Sequence, residues 1–213
     1  MRTGNDLWAD RLFPGSLTDM PPAVDLHALT EAHDEAVALL RGGRAARAVA
    51  VLDRVLDECR ATLGADHPAS LTVEGNLAVA LFTAGERREG IDLMVQNTAS
   101  RARVLGDEEP RTLTARDALA VAYRMAGRVD DAVELSWRVV VQRQRTLGHS
   151  HPDTLTSRMG LALAQSAAGD VAAATAVLAS ALVDAEEAHG PRHPHVLMLL
   201  ECARGMGLVR RAS

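Results

Sequence analysis

The chain repeats itself with a period of 42 residues, and that period limits the fold more than any local pattern does. Gly64, Gly106, Gly148 and Gly190 are spaced by it, and Leu63, Leu105 and Leu147 precede three of them. Gly43, Gly85, Gly127 and Gly169 form a second series, Pro68, Pro110, Pro152 and Pro194 a third, and Leu71, Leu113, Leu155 and Leu197 a fourth. Four independent series in one register define a stacked supersecondary unit.

Each series is punctuation. A proline fits the first turn of a helix, where its missing N–H costs nothing, and the residue before it is pushed out of the helical region. Glycines suit helix ends, where a left-handed residue closes the last turn. Each unit therefore reads as a proline start, helix A, a glycine turn, helix B and a glycine stop. Between the marks the apolar residues recur at helical spacing, as at Leu71, Leu77 and Leu81. Ala36, Ala78, Ala120 and Ala162 are equivalent, as are Ala38, Ala80, Ala122 and Ala164. In helix B, Ala48, Gly90, Ala132 and Ala174 are small residues that let helices approach, and Val51, Leu93, Leu135 and Val177 share an apolar position. Constant small positions of this kind are core.

The spacing predicts repeats over 24–64, 66–106, 108–148 and 150–190, with a capping helix over 194–209. The first lacks the proline start but keeps its alanines and Gly43. Residues 23–213 then form one continuous repeat domain of nine helices, preceded by a distinct segment over 1–22. That segment holds Trp8 and Phe13, two of five aromatic residues in the chain, so it is expected to dock, over the first repeat or into a groove.

Composition agrees with helices and removes several chemistries. The apolar set is mostly Ala, Leu and Val, poor in strand formers. All 23 basic residues are arginine, so a P-loop lysine and Schiff-base chemistry are excluded. The formal charge is −5 and no long basic block appears, which argues against nucleic acid as a partner. No window approaches the roughly 18 uninterrupted apolar residues of a membrane span. With Asp6 and Asp10 and no apolar core at the N-terminus, no signal peptide is read, and a cytoplasmic location is expected. Cys59 and Cys202 stand 143 positions apart inside predicted helices, as small hydrophobes.

The pattern L-G-x-x-H-P-x-T-L, then N-L-A, then a glycine turn, is fullest at Leu147-Gly148-His149-Ser150-His151-Pro152-Asp153-Thr154-Leu155, with Asn76-Leu77-Ala78 as the middle element. It resembles the tetratricopeptide repeat of kinesin-light-chain type across about residues 24–209. The resemblance implies an all-α fold, a right-handed α-solenoid of four helix-turn-helix repeats plus a C-terminal capping helix. It also implies a concave groove lined by the A helices, where partners bind. Its groove positions fall on Thr30, His33, Val37, Leu40 and Arg41, then on Thr72, Gly75, Val79, Phe82 and Thr83. The third repeat contributes Thr114, Asp117, Val121, Arg124 and Met125, and the fourth Thr156, Met159, Leu163, Ser166 and Ala167. The family's clamp for a C-terminal carboxylate needs Asn and Lys; here Val37, Val79, Val121 and Leu163 hold the Asn position, so that clamp is not expected. The groove reads as an apolar floor with a threonine rail and charges at His33, Arg41, Asp117 and Arg124.

A protein- or peptide-binding adaptor or regulatory module is the reading that follows. A small-molecule or signalling-peptide sensor is one alternative, and an enzyme or enzyme-accessory protein of a specialised bacterial pathway is another. No catalytic motif rises above background, so an enzyme is not the leading reading, and no cofactor is implied. His67, His151 and His193 are the repeat's own pre-proline residues, so no metal site is assigned, although His189, His193 and His195 cluster. Trp137 is placed in helix B away from the groove, as core or as a self-association patch for a homodimer. Arg138, Arg143 and Arg145, with Arg101 and Arg103 one repeat earlier, read as a solvated basic strip.

Overall fold

A computed structural model describes residues 26–208. Among them are nine α-helices and no strand: α1 (Leu26–Arg41), α2 (Ala45–Leu63), α3 (Pro68–Ala84), α4 (Arg87–Leu105), α5 (Pro110–Met125), α6 (Val129–Leu147), α7 (Pro152–Ala167), α8 (Val171–His189) and α9 (Pro194–Gly205). The predicted docking of segment 1–22 lies outside the described residues. The helices form two compact units that part between Asp107 and Glu108. The first holds α1 to α4 and the second α5 to α9, and within each every helix packs on the next. The architecture is an all-α repeat solenoid, two helix pairs in the first unit and two with a final helix in the second.

Proline and glycine do what their positions demand. Pro68, Pro110, Pro152 and Pro194 each open a helix at its first turn, and the residue before each is extended, with ψ between 132° and 141°. That residue also caps. The Nδ1 of His67 accepts from Ala69 N, that of His151 from Asp153 N and that of His193 from His195 N, while Glu109 supplies a carboxylate for Arg111 N. The far end of each A helix closes by one recurrent bond. Arg44 N donates to Leu39 O, Glu86 N to Leu81 O, Arg128 N to Tyr123 O and Asp170 N to Gln165 O, all within 3.0 Å. The other glycine series differs from the expected left-handed cap. Gly148 has φ 90° and ψ 167°, a region only glycine occupies readily, so the chain leaves helix B extended rather than curled.

The core of the first unit is built on Leu52, Val55, Leu56, Cys59, Val73, Leu77 and Leu81, and that of the second on Leu155, Leu178, Ala181, Val196 and Leu199. Burial pushes the Cys59 thiol up to about 11, which suits a packing role. The contact between helices A and B within a repeat runs through the small positions. Ala48, Ala132 and Ala174 are wholly buried, and a Cβ on Gly90 would lie 2.6 Å from the Phe82 nitrogen and 2.8 Å from the Ala78 carbonyl.

Two members of the repeated series depart from the core role expected of them, both at an end of the described helices. Ala38 is exposed, whereas Ala80, Ala122 and Ala164 are buried. Leu197 is 53% exposed where Leu71, Leu113 and Leu155 are buried, because no described helix B follows α9 to cover it.

Gly90→Ala is expected to cost roughly 1–3 kcal/mol, since the methyl meets backbone that cannot swing aside. Urea unfolding followed by circular dichroism measures it, and an unchanged midpoint would show that α3 and α4 can part at no cost.

Candidate functional site

The groove positions of the first unit lie on α1 and α3. His33 is buried, and its Nε2 accepts from the Asn76 Nδ2 at 2.7 Å, so the imidazole ties α1 to α3. Burial holds its pKa below the ordinary value, against the opposing pull of Asp34. Val37 and Val79 are half-buried, Phe82 is buried, and Arg41 and Thr83 are exposed. Thr72 and Thr83 each donate their hydroxyl to a carbonyl four residues back, Pro68 O and Val79 O. Thr114 and Thr156 do the same to Pro110 O and Pro152 O. These four hydroxyl protons are therefore committed within their own helices, and the Thr114 oxygen also accepts from Arg143.

In the second unit the groove positions converge. Asp117, Val121 and Arg124 on α5 and Thr156, Met159 and Leu163 on α7 line one cavity of about 190 Å³, with Ala118, Gly160 and Ser136 completing its wall. Val121 is 43% exposed at its mouth, and Met125, 52% exposed, stands at the end of α5 outside the lining. The walls are mostly apolar. Of its two charges only one faces a ligand freely. Asp117 is bound from two sides, by Arg143 Nη2 at 3.1 Å and by the Ser157 hydroxyl at 2.9 Å. Burial raises its pKa, and Arg143 and Ser157 work against that rise. Arg124 makes no ion pair among the described residues, so its guanidinium is the charge on offer.

Arg143 corrects the sequence reading. It is 4% exposed, not part of a solvated strip, and joins three helices: it donates to Asp153 O at 2.8 Å, to Thr114 Oγ1 at 3.1 Å and to Asp117. Arg101, its equivalent in the first unit, is also buried. There Arg101 Nε donates to Asn97 Oδ1 and its Nη2 to Leu71 O, both at 2.8 Å, while the Asn97 amide donates to Leu71 O and Glu74 Oε2. Arg60 reaches the other Glu74 oxygen at 2.5 Å. Arg103, Arg138 and Arg145 are exposed and pair with Asp66, Glu134 and Glu108. A signal for the buried pair existed. The same register holds Cys59 and Ala185 in the other repeats, both buried, so the position points inward whatever occupies it.

Trp137 lies 56% exposed on α6, with Val141 one turn on at 41%, so the tryptophan is surface and not core. No described helix is long and apolar enough to cross a membrane. Among the described residues no three His, Cys, Asp or Glu side chains are placed to hold a metal.

Arg143→Met is expected to destabilise the protein by about 3 kcal/mol, because it leaves a largely buried carboxylate unpaired. Adding Asp117→Asn should recover a good part of that loss in denaturant midpoints. Simple additivity of the two changes would refute the pairing.

Comparison with known proteins agrees with this architecture. The tetratricopeptide repeat family model matches residues 29–69, 112–153 and 154–195, leaving one repeat length, 70–111, between the first two matches. No curated protein sequence matches the chain. Among solved structures, two forms of the nearly identical TPR-like repeats described as a kinesin light chain of Podosopora anserina superpose closely. One superposes with TM-score 0.73 at 31% identity, covering 84% of this chain and 87% of that one. The other does so with TM-score 0.72 at 29% identity, covering 87% and 98%. BtubC (BKLC) from P. vanneervenii shares the fold, with TM-score 0.70 at 20% identity over 89% of this chain and 74% of that one. Repeats of this kind generally mediate protein–protein interactions. With three copies matched over more than half its length, the chain belongs to the tetratricopeptide repeat family.

Proposed function

We propose that the chain is an adaptor or regulatory module of the bacterial cytoplasm that binds a protein or peptide partner through the face of its A helices. In this reading residues 23–213 are the binding domain and 1–22 an accessory docking segment. The observation that carries it is the cavity between α5 and α7: apolar walls, an exposed Val121 at the mouth and the unpaired Arg124 beside it. Apolar contact supplies affinity and one cation fixes orientation, which is how a groove reads a peptide side chain. The size favours one kind of occupant. Sites for whole small molecules run to roughly 300–1,000 Å³. At about 190 Å³ this cavity suits a single side chain of a longer ligand rather than an entire metabolite. Val121, Arg124, Met159 and Leu163 are then the contact residues, and Asp117 acts by fixing α5 to α6 and α7.

A second reading, self-association through the opposite face of α6, has the exposed Trp137 and Val141 in its favour.

Affinity capture from lysate of the native host separates the two. We expect wild type to retain a protein that a folded Val121→Glu, Arg124→Glu double variant loses at least tenfold, while Trp137→Ala retains it. Identical capture by both groove variant and wild type would remove the A-helix face from consideration. For the second reading, sedimentation equilibrium should show a dimer that Trp137→Ala dissociates; a monomer in wild type ends it.

A further inference from the structure

The α8–α9 junction carries three imidazoles in one stack. His189 ends α8, His193 caps α9 and His195 lies in the first turn of α9. The rings of His189 and His193 stand 4.5 Å apart, centre to centre, and those of His193 and His195 5.3 Å apart, inclined by 25° and 19°. Two of the three rings have a hydrogen bond of their own. His189 Nε2 donates to the Ser150 carbonyl at 2.7 Å, which fastens the end of α8 to the loop before α7. His193 Nδ1 accepts from His195 N, so it holds the cap only while that nitrogen has a free lone pair. The Nδ1 of His195 is buried with no partner.

We propose that this histidine stack is a proton-sensitive latch that holds α9 on the second unit and releases it as the pH falls. Among the described residues the helix packs only on α7 and α8. It has 12 residues, too few to be stable alone. Val196, Leu199 and Ala203 are buried in the core that includes Leu155, Leu178 and Ala181, and Leu200, Cys202 and Met206 pack on it half-buried. A proton on His193 Nδ1 turns the capping acceptor into a donor that faces another N–H. It also places a cation at the positive end of the α9 dipole. A second proton, on His189 or His195, adds a like charge within the same stack. Among the described residues no carboxylate pairs with the stack. The charged groups acting on His193 are His189 from α8 and His195 from α9. Nearby on the chain stand Glu186, Glu187 and Arg192, all exposed, and the loop before α7 brings His149 and His151. Burial first, and the two neighbouring imidazoles next, hold the His193 pKa below 6.5. A depressed folded-state value means that the folded form takes up the proton less readily than the unfolded one. The latch is therefore complete above about pH 6.5 and weakens as the pH falls below it.

The other histidine caps are better backed. His67 and His151 open α3 and α7, which pack against helices both before and after them in their own units. Glu109, at the equivalent place before α5, caps with a carboxylate rather than an imidazole. Release should thus begin at α9.

Hydrogen exchange of the full chain at pH 7.5 and 5.0, corrected for intrinsic rates, tests the latch. We expect protection over 196–205 to fall at least tenfold more than protection over α7. In His193→Asn, whose side chain caps without titrating, protection over 196–205 should hold at both pH values. Unchanged protection of α9, a loss shared equally by all helices, or equal acid sensitivity in His193→Asn would each overturn the proposal. If His193→Asn leaves α9 unprotected even at pH 7.5, the NMR titration of His193 in the wild-type chain decides. An apparent pKa below that of an exposed histidine supports the latch, and one at or above it ends it.

Discussion

Everything in this fold depends on how closely helix A and helix B of one repeat can approach. The contact passes through one small residue per repeat, Ala48, Gly90, Ala132 and Ala174, and at Gly90 even a methyl has no room. Close approach brings the larger apolar side chains of both helices into register, so Leu52 or Leu178 is fully buried in a layer only two helices thick. A repeat of about 42 residues cannot bury both sides of such a layer by itself, which is why its neighbours and a terminal helix are needed. The exposed Leu197 shows the cost of having no described helix on one side.

The punctuation and the packing serve one another. A proline start fixes where helix A begins, and the extended residue before it places a side chain to cap the same helix. The recurrent closing bond from Arg44, Glu86, Arg128 and Asp170 then sets the angle at which helix B returns. With start, stop and return fixed by local chemistry, the groove positions of every repeat occupy the same register. What each position offers a partner is decided by its neighbours, and here the repeats diverge.

That divergence marks how far the sequence could be read. Helix boundaries and repeat register follow from spacing alone, because proline and glycine act through the backbone and need no partner; the family came from a resemblance of motifs. The cavity between α5 and α7 was half legible: Asp117, Val121, Arg124, Met159 and Leu163 meet there, as their register implies. The register does not say which polar groups are already engaged. His33 is committed to Asn76, the threonine hydroxyls to their own helices, and Asp117 to Arg143 and Ser157. Arg143 itself was misjudged, because an arginine reads as surface when taken alone. Averaged over the repeats its position is inward, since Cys59 and Ala185 fill it elsewhere. Polar networks join residues tens of positions apart, and a one-dimensional pattern cannot pair them.

Arg101 and Arg143, two of the three buried arginines among the described residues, solve one problem in two ways. In the second unit Arg143 meets a carboxylate on the groove face, Asp117, and the charge of both is cancelled inside the layer. In the first unit the equivalent groove residue is Gly75, where a Cβ would come within 3.1 Å of the Asn97 amide oxygen. Arg101 therefore turns to that amide and to a backbone carbonyl, and the carboxylate moves one place back to Glu74, which Arg60 also holds. A buried guanidinium needs its donors satisfied, but not by a particular residue. One solution lets a charged side chain reach the groove, and the other removes it. Groove chemistry in these two repeats thus follows from how the layer beneath satisfies its arginine. Conserving the fold leaves that choice open from one repeat to the next.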